Sequence, residues 1–144
     1  MKKSLSILGL FILLALGFFL TQSGKQNPNT TPPSGFETSG EAIVIHMTPA
    51  GFEPSKITIT PGTIVTFINE DATDRWPASN IHPTHRIYPN SDIDDCSTEK
   101  ETLMFDACRG IPLGESWSFT FNESGIWRMH DHLVPQFTGT ITVQ

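Results

Sequence analysis

From Ala42 onward, apolar and polar positions alternate in short runs broken by Pro, Gly, Asn and Asp. "AIVIHM" (42–47), "KITIT" (56–60) and "TIVTFIN" (63–69) occupy the first half, and "SWSFTFN" (116–122), "GIWRMHDH" (125–132) and "TGTITVQ" (138–144) the second. A period of two over such lengths predicts strands with one buried face, and the intervening Pro-Gly and "NESG" stretches predict turns. The opening runs follow one another closely enough to predict a β-meander. Seven or so short strands, no convincing helix and no internal repeat point to an all-β fold, a two-sheet β-sandwich. Residues 71–114 fit none of this: they form one long connection dense in Pro, Asp and Ser, and connections of that length are usually functional or tied down.

The amino terminus has a different pattern. Lys2 and Lys3 precede an apolar run from Leu5 to Leu20 interrupted only by Ser6, Gly9 and Gly17, which predicts a segment that directs export. The run is longer than many signal cores and short of the ~20 residues that span a bilayer, so a cleaved signal peptide and a retained membrane anchor both stay open. No cysteine follows it, which excludes a lipoprotein anchor. The polar "KQNPNTTPPSGFETSG" has the composition of a flexible spacer. The expected organisation is a leader over 1–23, a linker over 24–40 and one domain over 41–144, placed in the periplasm or outside the cell, with the membrane as a partner if the leader is kept.

Charge narrows the partners. Nine Lys and Arg against 15 Asp and Glu give a formal charge of −6, which argues against nucleic acid. The two cysteines, Cys96 and Cys108, lie in the long connection, and in an exported chain a disulfide between them is the expected state.

Of five histidines, four fall in two short motifs, "HPTH" at His82 and His85 and "HDH" at His130 and His132. On a strand, residues two apart share a face, so His130 and His132 present adjacent imidazoles, while Trp127, Met129 and Asp131 take the opposite, inward face. The pair is therefore expected outside the core or at its rim. Imidazole binds copper, zinc, nickel and iron, and the affinity order favours Cu²⁺, with zinc second.

The residues carry a resemblance. "GFEPSKITITPGTIVTFINED" is similar to the early strands of the cupredoxin family, the copper-binding Greek-key sandwiches that include plastocyanin, amicyanin and multicopper oxidase domains. "GESWSFTF" and "SGIWRMHDHLVPQFTGTITV" resemble its last three strands and ligand loop. The resemblance spans about 41–144 and implies a Greek-key sandwich. A blue copper centre needs a Cys thiolate, two His and often an axial Met. In the loop from Gly125 to Gly139 those positions fall on Asp131 for the thiolate, Val134 for the second His and Phe137 for the Met, so the resemblance implies no blue site. "HPTH" and "HDH" instead resemble the paired motifs of a multicopper oxidase domain with Asp131 replacing the cysteine. That register sets His85, His130 and His132 toward one ion-binding region, with either His82 or His85 as the loop ligand.

Asp131 has three readings: weak oxygen ligand, buried acid paired with Arg or backbone, or acceptor orienting an imidazole N–H, and the last is preferred. His46 is expected to be structural or exposed, and Trp76, Tyr88, Trp117 and Trp127 to be packing residues. Asp92, Asp94, Asp95 and Glu99 lack calcium-loop spacing and are expected to be solvated. The sequence favours an exported domain binding copper through histidines alone, in copper handling or redox support. Its rivals are a metal-free adhesion or assembly module and an oligomeric copper oxidoreductase. Whether it is an enzyme, and which protein it meets, stay open.

Overall fold

The computed structural model describes residues 43–144; the leader and linker expected over 1–23 and 24–40 lie outside the described residues. Eight strands build two four-stranded sheets: β1 (Ile43–Thr48), β2 (Gly51–Glu53), β3 (Lys56–Ile59), β4 (Thr63–Asn69), β5 (Pro77–Ser79), β6 (Ser116–Phe121), β7 (Gly125–Asp131) and β8 (Thr138–Val143). One sheet has the order β2-β1-β4-β6 and the other β3-β8-β7-β5. The only helical elements among the described residues are single 3₁₀ turns, Ile93–Asp95 and Glu101–Leu103.

The expected all-β sandwich is present, but its opening is not a meander. β1 pairs in parallel with β4, while β3, between them in sequence, crosses to the other sheet and pairs in parallel with β8. Both inner faces require apolar cover, and the crossing lets Ile59 and Val143 face the layer that holds Ile45, Val65 and Phe67.

Alternation decides which side chains enter this core. Ile45 and Met47 on β1, Val65 and Phe67 on β4, Phe119 and Phe121 on β6, Met129 on β7, and Ile141 and Val143 on β8 are all buried, each two residues from its partner where a strand gives two. Phe105, from the long connection, fills the centre, with its ring centroid 4.8 Å from that of Phe121 and 5.9 Å from that of Phe67.

The long connection is folded rather than loose. Arg75 and Ile111 exchange two backbone hydrogen bonds, Ser79 N donates to Phe105 O and Ala107 N to Pro77 O, so residues 105–111 run alongside 75–79 as an extra sheet edge. Cys96 and Cys108 form the expected disulfide and close the segment between them. Tyr88 pins its other limb: the ring packs on Phe119, Phe121 and Trp127, and the hydroxyl accepts hydrogen bonds from the amides of Asn122 and Glu123. Tyr88 N donates to Ser79 Oγ and Ile87 N to Asn80 O, which draws residues 80–87 into a closed loop beside β5 and β7.

The acidic stretch carries ion pairs with neighbouring cations: Arg86 holds Asp92 and Asp94, and Lys100 holds Asp95. His46 is half exposed and bonded to Glu70. Trp117 stacks on Phe105 and Phe119 as a packing residue.

Candidate metal centre

The closed loop brings "HPTH" over the outer face of β7, and all four histidines of the two motifs meet there. Ring centroids of His85 lie 4.9 Å from both His130 and His132, and those of His82 lie 5.3 Å and 4.9 Å from the same two. One ring nitrogen from each of the four falls within 4.8 Å of all the others. His82 joins the other three rather than standing apart at a separate ligand position. Its ring is the exposed member, His132 is part-buried, and His85 and His130 are buried.

His130 does point away from the sandwich core, as strand parity requires, yet only 1% of its surface is exposed. The loop and β5 cover it. Ala78, directly across the β5–β7 ladder from His130, is small enough to leave room above the sheet for a second imidazole. His85 enters that space from a left-handed backbone conformation, φ 61°, unusual for a residue with a side chain and tolerated where the surroundings enforce it.

Both ring nitrogens of His130 are buried without a hydrogen-bond partner. Leaving a buried imidazole so bare is costly, and such atoms call for an explanation such as an ion. Burial lowers the His130 pKa to about 4, with the charges of His85, His82 and His132 adding to the effect. Burial likewise lowers that of His132, again helped by its neighbouring histidines. Both rings are thus kept neutral, the form that ligates metal. A divalent ion with metal–nitrogen distances of about 2.0 Å holds opposite ligands about 4 Å apart, so four nitrogens within 4.8 Å need less than about 1 Å of contraction to share one ion. The donor set fits a mononuclear, all-nitrogen centre.

Asp131 is not a partner of these rings. Its carboxylate accepts from Arg75 Nη1 at 3.3 Å and from the amides of Trp76, Leu133 and Val134, which makes it the buried acid paired with Arg and backbone. The physical reason is parity: Asp131 lies on the face of β7 opposite His130. Arg75 is buried with it, donates to the Thr48 carbonyl and pairs with Asp71, and its guanidinium sits 4.6 Å over the Phe137 ring. The turn from Asp131 to Phe137 is therefore closed by a carboxylate, a guanidinium and an aromatic ring. The chain's two cysteines are spent in the disulfide, so no thiolate is available to a metal.

The imidazole–carboxylate bond belongs instead to Asp106, which no sequence motif singles out. Asp106 Oδ2 bonds His85 Nδ1, while Oδ1 accepts from Trp76 Nε1 at 2.6 Å and from Cys108 N at 2.8 Å. Burial works to raise the Asp106 pKa, but the hydrogen bonds from His85, Trp76 and Cys108 outweigh it and hold the group below its ordinary value. Trp76, expected to be packing, lies against the centre, its ring 4.4 Å from that of His132. The signal for Asp106 was an acid set in the apolar run "LMFDA", which a buried strand tolerates only with partners. Cys96, Asp106 and Cys108 are also close together, but the sulfurs bond each other and the carboxylate is saturated, so they offer no second metal site.

No protein-family model matches the chain, and no curated protein matches it in sequence. Solved structures do match. A purple cupredoxin from Nitrosopumilus maritimus is 18% identical over 71% of this chain and 99% of that one, with a TM-score of 0.54. The oxidised form of an amicyanin variant is 19% identical over 75% of this chain and 87% of its own, TM-score 0.54, and a reduced Cu(I) form of another amicyanin variant covers 81% and 95%, TM-score 0.53. Identity at this level speaks to architecture rather than to the site, and on that ground the domain has the cupredoxin fold.

Proposed function

We propose that this domain binds one copper ion through His82, His85, His130 and His132, as an exported protein that handles copper or supports redox chemistry through a type 2-like, sulfur-free centre. The observation that carries the reading is His130: a buried imidazole with both nitrogens unpartnered, facing three more imidazoles. Copper is preferred to zinc because the affinity order of nitrogen sites favours Cu²⁺. The copper-loaded amicyanin matched in fold agrees with that choice.

The roles of the residues follow from their exposure. His85 and His130 give the buried half of the ligand set, shielded from competing water. Exposed His82 is the side from which an ion is taken up or passed on. Bound copper would supply a one-electron couple. The Cys96–Cys108 bridge and the apolar run from Leu5 to Leu20 support export to an oxidising compartment.

Copper uptake by the exported domain and by an H130A/H132A variant, measured by equilibrium dialysis with metal analysis, tests the proposal. One ion per chain in the parent and none held in the variant is expected. Equal uptake by both removes these ligands.

A further inference from the structure

We propose that Asp106 is the positioning residue of the histidine centre: it fixes the His85 proton on Nδ1 and thereby makes Nε2 the ligand atom. The inference rests on the copper reading above, and its first readout is taken without metal.

Donors and acceptors around Asp106 fix where each proton sits. An indole N–H and a backbone N–H can only donate, and both point at Asp106 Oδ1, from Trp76 and Cys108. A carboxylate has no hydrogen to give, so the remaining oxygen, Oδ2, must receive one from His85 Nδ1. A neutral His85 then has its lone pair on Nε2. That atom lies 2.9 Å from His132 Nδ1, so in the absence of metal it accepts the His132 Nδ1–H. The protons along this line are all set from one end, by Asp106. Both side chains of the His85–Asp106 pair are fully buried, so water cannot substitute for the carboxylate. Asp106 is itself held by the 105–111 edge, through its bridge to Ala78, and by the Cys108 amide beside the disulfide. The centre is thus built on the stapled connection as well as on β7.

The substitution Asp106→Asn makes a sharp test because the two donors at Oδ1 also fix which way the amide faces. The amide oxygen must take the Trp76 and Cys108 donors, which turns the NH₂ toward His85. His85 Nδ1 is then forced to accept, its proton moves to Nε2, and the ligand atom is blocked. Long-range ¹H–¹⁵N correlation on the metal-free protein should show His85 protonated on Nδ1 in the parent and on Nε2 in D106N. Copper affinity, measured by competition with a chelator, should fall by roughly 10- to 100-fold in D106N. Trp76→Phe removes one of the two donors that orient the carboxylate but leaves Asp106 to accept His85 Nδ1–H, so the parental tautomer with a smaller loss of copper affinity is expected, and this variant decides the matter if D106N does not fold.

A parent His85 protonated on Nε2, or a D106N protein with parental tautomer and parental affinity, overturns the proposal, as does W76F with its His85 proton moved to Nε2 or with parental copper affinity should D106N fail to fold. A parent that takes up no copper yet shows the Nδ1–H form refutes the copper reading while supporting the assignment of Asp106 as the residue that orients His85.

Discussion

His85 Nε2 and His132 Nδ1, from segments 47 residues apart, lie within 2.9 Å of each other. A hydrogen bond between two imidazoles, one buried and one part-buried, is a poor use of both rings unless something else is to sit between them. With His130 bare on one side and His82 exposed on the other, the contact marks the closing point of a four-nitrogen cup.

The neutrality of the cup predicts acid sensitivity of the metal-free fold. The His130 pKa is about 4 in the native chain against 6.5 in the ordinary ring, so between those values the unfolded chain binds more protons. Stability is full above about pH 6.5 and is lost as the pH falls toward about 4, by on the order of 2–3 kcal/mol from His130 alone. The lowered pKa of His132 adds in the same direction, and that of Asp106 extends the loss below about pH 4. Urea midpoints measured across this range should fall on acidification, and Ala at position 130 should flatten the decline. A midpoint that rises toward acid would contradict the buried neutral ring.

Arg75 and Asp131 should behave as a coupled pair. Their side chains are 3% and 1% exposed, and removing one charge strands the other. Arg75→Met should cost about 3–5 kcal/mol, and the double variant R75M/D131N should cost less than the sum of the single ones. A double-mutant cycle in urea checks this; strict additivity would mean the charges do not support each other.

The bridge should stabilise the domain without supplying ligands. Replacing Cys96 and Cys108 with Ser opens a loop spanning 12 positions and should cost roughly 3 kcal/mol in the chain-entropy model. Thermal unfolding of the parent and the double Ser variant, both free of metal, gives the difference. An unchanged midpoint would show that the 75–79 pairing alone holds the 105–111 edge.

Much of the framework could be read from the chain because β1, β3, β4, β6 and β8, and β7 as far as Arg128, each bury one face, and alternation records that in the residues. β5 could not: Pro77, Ala78 and Ser79 are buried throughout, so no alternation survives, and the strand exists only through its neighbours at 105–107 and 129–131. Likewise "GFE" is too short to show alternation and becomes β2 only by pairing with β1. For the site, strand parity nominates His130 and His132, because side chains two apart on a strand must share a face, while His82 and His85 follow from the resemblance of "HPTH" to a family motif. Asp131 differs from the expected imidazole acceptor because strand parity turns it to the face of β7 opposite His130, where Arg75 and backbone amides take its carboxylate. Asp106 was missed because its contact with His85 arises from a tertiary bridge across 21 residues, which local spacing does not encode.

The central claim is that imidazoles alone, from the 80–87 loop and the end of β7, hold one copper ion. Electron paramagnetic resonance of the copper-loaded domain, with the metal-to-protein ratio measured on the same sample, tests it most directly. One Cu²⁺ per chain, a wide parallel hyperfine splitting with nitrogen superhyperfine structure, and weak visible colour are expected. Narrow splitting with intense thiolate absorption, or copper held without nitrogen coupling, would contradict it.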